Sequence, residues 1–105
     1  MPFTLTGALL DACVLGLLSC ESTYGYNLTQ RLRQLIDISE STLYPVLRRL
    51  LKDELLSTFD EQFEGRNRRY YQITDKGCGL LGDYSEKWEI YKKNIDSVLR
   101  GESNE

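Results

Sequence analysis

Apolar residues in the first third of the chain recur every three or four positions, the spacing that places side chains on one face of a helix. The first stretch, from about Leu5 to Ser19, predicts an amphipathic helix with a wide apolar face. A polar connection follows over Cys20–Thr23, where Ser22 or Thr23 can cap a second helix. The apolar positions of these two helices are Leu5, Leu9, Leu10, Cys13, Val14, Leu17 and Leu18, and then Tyr24, Leu28, Leu32, Leu35 and Ile36.

A third helix is predicted to begin near Ser39 and to end near Glu54. Ser39 is a good N-cap, and Glu40 in the first turn favours the positive end of the helix dipole. Pro45 removes one backbone hydrogen bond and should bend the helix slightly. The apolar positions are Leu43, Val46, Leu47, Leu50 and Leu51.

The pattern then changes to short segments rich in aromatic and β-branched residues, which suit pleated strands. Leu56–Phe63 and Arg68–Thr74 are predicted strands, and Glu64–Asn67 between them has the residues of a tight turn. A single strand pair is only marginally stable in water, so this hairpin must lie against the helices.

A long final helix is expected from a cap at Thr74 or Asp75 to about Arg100. Its first turns contain three glycines, each weakening the helix by about 1 kcal/mol relative to alanine. Either another interaction compensates, or close packing there requires the missing side chains. The glycines are Gly77, Gly79 and Gly82.

The order of helix, helix, helix, hairpin and long helix is that of a winged helix-turn-helix with a C-terminal extension. The predicted fold class is therefore mainly α with a β-hairpin wing. We expect a winged helix-turn-helix domain over 1–75, a dimerisation helix over 76–100 and a polar tail over 101–105.

Composition narrows the range of functions. The 105 residues contain no histidine, which excludes serine–histidine triads, cysteine–histidine pairs and zinc-protease helices, so we expect no enzyme, metal site or cofactor. Cys13, Cys20 and Cys78 form no Cys-x-x-Cys pair, and their odd number and wide spacing fit a reducing cytoplasm better than a secreted disulfide scaffold. The first two fit a role as small apolar residues in a helix. The apolar runs are too short to span a bilayer, and the N-terminus lacks the basic region of a signal peptide. We therefore expect a cytoplasmic protein.

The net charge is −3, which disfavours nonspecific binding to polyanions, so any contact with nucleic acid depends on local positive charge. The third predicted helix has such a face opposite its leucines, with arginines that can fork to guanine and hydroxyls that reach bases or phosphates. The alternative is a solvated basic face. The residues are Ser41, Pro45, Arg48 and Lys52, with Thr42, Tyr44 and Arg49 on the shoulders.

The predicted hairpin tip is a second basic surface, with Arg66, Arg68 and Arg69 close together. Arginines at the tip of a wing can enter a minor groove or bind phosphate. An ordinary solubilising turn is the alternative, with Glu61 and Glu64 pairing with the arginines. The two basic surfaces together, in the order that a winged helix requires, favour DNA binding.

The final helix has a seam of apolar residues at alternating intervals of three and four. The helix could fold back onto its own domain, but at about 39 Å it is too long for three short helices and a hairpin to cover. Pairing with a second copy would present two recognition helices to half-sites about 34 Å, or a multiple, apart. The seam, which is the expected dimer interface, comprises Leu81, Tyr84, Trp88, Tyr91, Ile95 and Val98.

Three motifs resemble the PadR family of bacterial transcriptional regulators. They are Tyr24-Gly25-Tyr26, the run Ser41-Thr42-Leu43-Tyr44-Pro45-Val46-Leu47-Arg48-Arg49-Leu50, and Arg69-Tyr70-Tyr71-Gln72-Ile73-Thr74-Asp75-Lys76-Gly77. The likeness covers residues 5 to 100, and a single C-terminal helix is similar to the small subgroup that includes multidrug-sensing repressors.

This resemblance implies a homodimeric repressor that binds near its own promoter or that of a neighbouring operon. It also implies a flat, apolar or cationic effector between the long helices, stacked on Trp88, Tyr84 and Tyr91; alternatively, these rings only fill the dimer interface. The main rival function is a winged-helix protein-interaction module that does not bind DNA. The resemblance implies base and groove contacts from Ser41, Thr42, Tyr44, Pro45 and Arg48 on the recognition helix and from Arg66 and Arg68 on the wing. It implies contacts with the phosphate backbone of the DNA from Tyr24, Tyr26 and Asn27. Tyr70 and Tyr71 are expected to hold the wing against the core and not to contact DNA.

Overall fold

The predicted fold class is confirmed by a computed structural model, which describes residues 7–102. Four helices pack with a three-stranded antiparallel sheet of order β1-β3-β2. Leu5, where the first helix was expected to begin, lies outside the described residues. The elements are α1 (Gly7–Cys20), β1 (Thr23–Tyr24), α2 (Gly25–Leu35), α3 (Glu40–Lys52), β2 (Leu56–Phe63), β3 (Arg66–Ile73) and α4 (Asp75–Leu99).

A cluster of buried leucines holds the helices together. Of the predicted apolar positions of α3, Leu43, Leu47 and Leu50 are buried, and Val46 and Leu51 are partly buried. The inward positions of α1 and α2 are also buried. Leu35 was expected in the apolar stripe of α2, but its side chain is 66% exposed. Helix α2 ends at Leu35, and the backbone is extended at Ile36. Ile38 enters the core from the following loop instead. The cluster comprises Leu10, Val14, Leu15, Leu18, Leu28, Leu32, Ile38, Leu43, Leu47, Leu50, Leu55 and Leu56.

The connection between α1 and α2 differs from its prediction. Thr23 and Tyr24 form a short strand that pairs with Tyr71 and Tyr70 of β3. Tyr24 is the N-cap of α2 and makes no side-chain capping bond, so the expected cap at Ser22 or Thr23 was wrong. The pairing joins segments far apart in the sequence, which helical periodicity does not show.

The wing is a regular antiparallel hairpin whose turn is shorter than predicted. Only Glu64 and Gly65 connect the strands, because β3 already begins at Arg66 and Asn67 pairs with Gln62. Both turn residues have positive φ, 51° and 77°, as a two-residue type I′ turn requires.

The start of α4 is fixed against the sheet. The Thr74 side chain accepts a hydrogen bond from the Gly77 amide at 3.0 Å and donates one to the Glu54 carbonyl at 2.8 Å. Gly77 is buried, and a Cβ there would collide with the Leu55 carbonyl oxygen and lie 2.7 Å from Cγ1 of Ile73. Close packing therefore explains this glycine but neither Gly79 nor Gly82, where a Cβ would meet nothing within 4 Å.

This packing predicts opposite effects for two alanine substitutions in the same helix. Gly77→Ala should lower the free energy of unfolding by roughly 1–3 kcal/mol, since the new methyl group has no room. Gly79→Ala should raise it by about 0.5–1 kcal/mol through the better helix propensity of alanine. Urea unfolding followed by circular dichroism measures both. Equal effects of the two substitutions would contradict the close approach at Gly77.

Candidate nucleic-acid interface

The polar face predicted on α3 is exposed, and hydroxyl groups cluster at its N-terminus. Ser39 accepts a hydrogen bond from the Thr42 amide at 3.3 Å, and its Oγ lies 2.9 Å from Ser41 Oγ and 3.1 Å from Thr42 Oγ1. The positive end of the helix dipole and these hydroxyls together favour a phosphate or a base edge. The exposed residues of this face are Ser41, Thr42, Pro45, Arg48 and Lys52.

Tyr44, expected on the shoulder of that face, is half-buried against the start of α2. A Cβ added at Gly25 would lie 3.3 Å from Cε1 of Tyr44 and 3.4 Å from its hydroxyl oxygen. Burial, helped by the charge of Glu40, raises the pKa of the Tyr44 hydroxyl. Like any tyrosine hydroxyl at neutral pH, it is protonated and can donate a hydrogen bond at the edge of the α3 face.

Arg49, the other expected shoulder residue, lies in an intramolecular ion pair. Its Nη2 is 2.6 Å from Oδ1 of Asp11 in the middle of α1. The Asp11 side chain is only 9% exposed, whereas that of Arg49 is 48% exposed. The hydrogen bond to Asp11 raises the pKa of Arg49. The sequence analysis missed Asp11, although a lone carboxylate within an apolar helix face was a signal that it needs a cationic partner.

The three arginines near the wing tip have different environments. Arg68 is half-buried, its guanidinium carbon 4.5 Å from the ring centroid of Tyr24 and 5.5 Å from that of Phe63. Arg69 points to the other face of the hairpin and pairs with Asp60 at 3.6 Å. The pairs with Glu61 or Glu64 that the alternative of a solubilising turn allowed are not found among the described residues. Arg66 is exposed and makes no ion pair within residues 7–102.

Four aromatic rings form a cluster on the outer face of the sheet, beside Arg68. Phe59 stacks on Tyr70 with centroids 5.2 Å apart, and Tyr70 meets Tyr24 edge-on at 5.6 Å. Phe63 lies 6.0 Å from Tyr24. The rings and the Arg68 guanidinium together brace the wing against β1.

The three residues expected to contact the DNA backbone near the start of α2 also differ. Tyr26 is 58% exposed. The Asn27 side-chain amide donates to the Thr23 hydroxyl at 2.7 Å, and Tyr24 is partly covered by Arg68. Tyr26 is therefore the most accessible of the three.

The predicted seam on α4 divides into two parts. Leu81 and Tyr84 pack partly against the core of their own domain. Beyond them the helix extends past the domain, which gives the described chain dimensions of 60 × 29 × 20 Å. Its apolar side chains there are uncovered: Trp88 (42% exposed), Tyr91 (58%), Ile95 (38%) and Val98 (72%), with Ile90 and Leu99 outside the seam.

An open groove of about 790 Å³ lies between α1 and α4. Its lining is mostly apolar, with Trp88 and Tyr91 rings 6.2 Å apart on one wall and Lys87 nearby. Cys13 lies on the opposite wall, and burial raises the pKa of its thiol. Cys20 was expected to be buried like Cys13, but it is exposed at the end of α1.

Two other kinds of site, a metal centre and a membrane-spanning helix, have no support within residues 7–102. No group of three or more His, Cys, Asp or Glu residues in this range is arranged to hold a metal ion. None of the helices described is both long enough and apolar enough to cross a membrane. The α3 face, the wing and the α1–α4 groove are therefore the surfaces that need a functional explanation.

Known proteins share this architecture along most of the chain. Residues 14–82 match the model of the transcriptional regulator PadR-like family. A crystal structure of a Streptococcus mutans protein is similar, with a TM-score of 0.91 and 34% identity over 100% of this chain and 99% of that one. A PadR-like transcriptional regulator from Bacillus cereus has a TM-score of 0.83 and 33% identity over 90% and 94%.

A protein of Lysinibacillus sphaericus without an assigned function is 33% identical over 97 residues, 88% of this chain and 89% of its own length. The family model, matching well over half of the chain, decides the classification. The members of this family are regulators of transcription and not enzymes, as the lack of histidine led us to expect. The chain belongs to the PadR-like family of transcriptional regulators.

Proposed function

We propose that this DNA-binding regulator is a cytoplasmic, homodimeric repressor of its own or a neighbouring operon. The observation that carries the proposal is the exposed polar face of α3, which places Arg48 and the hydroxyls of Ser41 and Thr42 on one side of a helix. Such a face fits the major groove, where arginine can form two hydrogen bonds to guanine. Family membership favours this reading over the protein-interaction alternative.

The wing supplies a second contact in this proposal. Arg66 is free to reach phosphate or a narrow minor groove beside the α3 site. Arg68 lies over the rings of Tyr24 and Phe63, where it supports the wing. Because the net charge of the chain is −3, binding depends on these local groups, and nonspecific attraction to DNA is weak.

The proposed dimer uses the exposed part of α4. This part of α4 extends past its own domain, and exposure of its run of apolar side chains to water is unfavourable. Such a patch is typical of an interaction surface. A second copy of the same helix, assisted by the wall of α1, has matching spacing and covers the seam from Trp88 to Val98. A two-fold pair of this kind would present two α3 faces to one side of the DNA.

An effector site is the third part of the proposal. The groove beside Trp88 can hold a flat aromatic or cationic compound by ring stacking and cation–π contact. A compound that binds more tightly when the two protomers are held at a different angle would shift the dimer away from its DNA-binding form. The alternative is that the partner helix fills the groove completely.

Operator binding tests the α3 proposal. We expect the dimer to bind DNA from upstream of its own gene about a thousandfold more tightly than a scrambled duplex, as sequence-specific regulators do. Arg48→Ala should weaken operator binding by roughly 1–3 kcal/mol, the usual value of a bidentate base contact. Fluorescence anisotropy at several salt concentrations measures both quantities.

Arg100→Ala is the matched control, since it removes the same charge at the far end of α4, away from α3 and the wing. It should leave operator affinity within about twofold of the parent, as expected for a charge far from the DNA. If the parent binds neither duplex at low salt, the protein-interaction function becomes the better explanation.

Sedimentation tests the dimer. Ile95→Glu places a charge in the seam and should convert the protein to monomers at micromolar concentration, because an unpaired charge in an apolar interface is costly. Lys93→Glu lies on the opposite side of α4 and should leave the dimer intact, although it changes the net charge more. Dimers that persist in the Ile95 variant would place the interface elsewhere.

Intrinsic fluorescence tests the effector site, since Trp88 is the only tryptophan in the chain. A flat aromatic cation such as acridine orange should quench its emission saturably, and Tyr91→Ala should weaken this binding by about 0.5–2 kcal/mol through lost ring contact. N-acetyltryptophanamide in solution is the reference. Quenching no greater than that of the reference would exclude the groove as a site for such compounds.

A further inference from the structure

The ion pair between Asp11 and Arg49 joins α1 directly to the recognition helix α3. Asp11 is the one charged residue in the buried part of the described chain, and its carboxylate bonds to Arg49 at 2.6 Å. A carboxylate in such an apolar place is stable only when it is paired. Arg49 therefore supplies the cationic partner that the buried Asp11 carboxylate needs. It does so at the position next to Arg48, the proposed base-reading residue.

Among the described residues, the pair of Arg49 and Asp11 is the only ion pair between α3 and α1. The other side chains of α3 that pack on the core are leucines, Val46 and Tyr44, and apolar contacts have little directional preference. A charged hydrogen bond is directional, so the pair narrows the orientation of α3 relative to α1 within the range that the leucine contacts allow.

We propose that Arg49 is a positioning residue, which sets the orientation of the α3 face through Asp11, and that it does not contact DNA phosphate. The inference rests on the proposed DNA-binding function. It replaces the sequence-based expectation that Arg49 is a DNA contact. Operator recognition requires a fixed helix orientation, whereas weak binding to any duplex requires only positive charge.

The substitution Asp11→Ala separates the two roles of Arg49. It removes the partner while leaving the arginine in place, and Asp11 is buried in α1, where it cannot touch DNA. No buried charge is left without a partner, because Arg49 is about half exposed and can be hydrated. Arg49→Ala alone is a poorer test, since it would leave the Asp11 carboxylate buried and unpaired.

The experiment compares operator and scrambled duplexes by anisotropy across a range of salt concentrations, using the full chain. If Arg49 positions α3, Asp11→Ala should weaken operator binding about tenfold, leave scrambled DNA within about twofold and keep the salt dependence unchanged. The double variant Asp11→Ala/Arg49→Ala should match Asp11→Ala, because both lose the same interaction. Arg49→Lys, which keeps a cation opposite Asp11, should retain most of the operator preference.

A phosphate contact predicts a different set of results. Releasing Arg49 by Asp11→Ala would then tighten binding to both duplexes, and removing it in the double variant would lower the salt slope by about one phosphate contact. Either result overturns the proposal, as does unchanged operator affinity in Asp11→Ala. Thermal unfolding of each variant confirms that it is folded, and the double variant supplies the test if Asp11→Ala is not.

Failure of the underlying function is distinguishable from failure of this inference. If the parent protein does not prefer its operator to the scrambled duplex, the proposed function is wrong and the positioning role falls with it. If the parent prefers the operator and the variants keep that preference, only the positioning role is wrong.

Discussion

The burial of the α3 leucine stripe is the constraint on which the rest of the structure depends. Leu43, Leu47 and Leu50 are at most 1% exposed, and they occupy one side of a helix only three to four turns long. Once that side faces α1 and α2, the geometry of the helix forces the hydroxyls and Arg48 outward. The core therefore selects the surface that faces solvent, and the proposed recognition face is a by-product of packing.

The sequence was sufficient for the features that depend on local pattern. Helix α3, its Ser39 cap, the hairpin and the Thr74 cap of α4 all follow from periodicity and from residue types with strong positional preferences. Their bounds agree with the structure to within a few residues. The wing turn was expected over Glu64–Asn67 but contains only Glu64 and Gly65, because these two residues with positive φ are enough to reverse the chain.

The features that sequence reasoning missed depend on contacts between distant segments. Strand β1 exists because Thr23 and Tyr24 find partners about fifty residues later, and two residues carry too little pattern to be recognised as a strand. Arg49 and Arg68 were expected at the DNA from their positions on the helix face and at the hairpin tip, which say nothing of neighbours within the protein. Their actual neighbours, Asp11 and Tyr24, come from other elements, so position along the chain could not reveal them.

Charge and apolar exposure are distributed unevenly over the molecule. Within the described residues, the exposed cationic side chains proposed to contact DNA are Arg48 and Lys52 on α3 and Arg66 at the wing tip. The exposed apolar side chains from Trp88 to Val98 lie along α4. The two surfaces do not overlap. Assembly with a second copy and contact with DNA can therefore occur together, without competing for the same residues.

The short strand β1 has a consequence for the cost of binding. It hydrogen-bonds the residue before α2 to the strand that carries the wing, so the start of α2 and the base of the wing form one rigid unit. Rigid parts lose little conformational entropy when they meet a partner. The start of α2, where Tyr26 is exposed, and the base of the wing would therefore move together, so the proposed contact with DNA would cost less ordering there than at the wing tip.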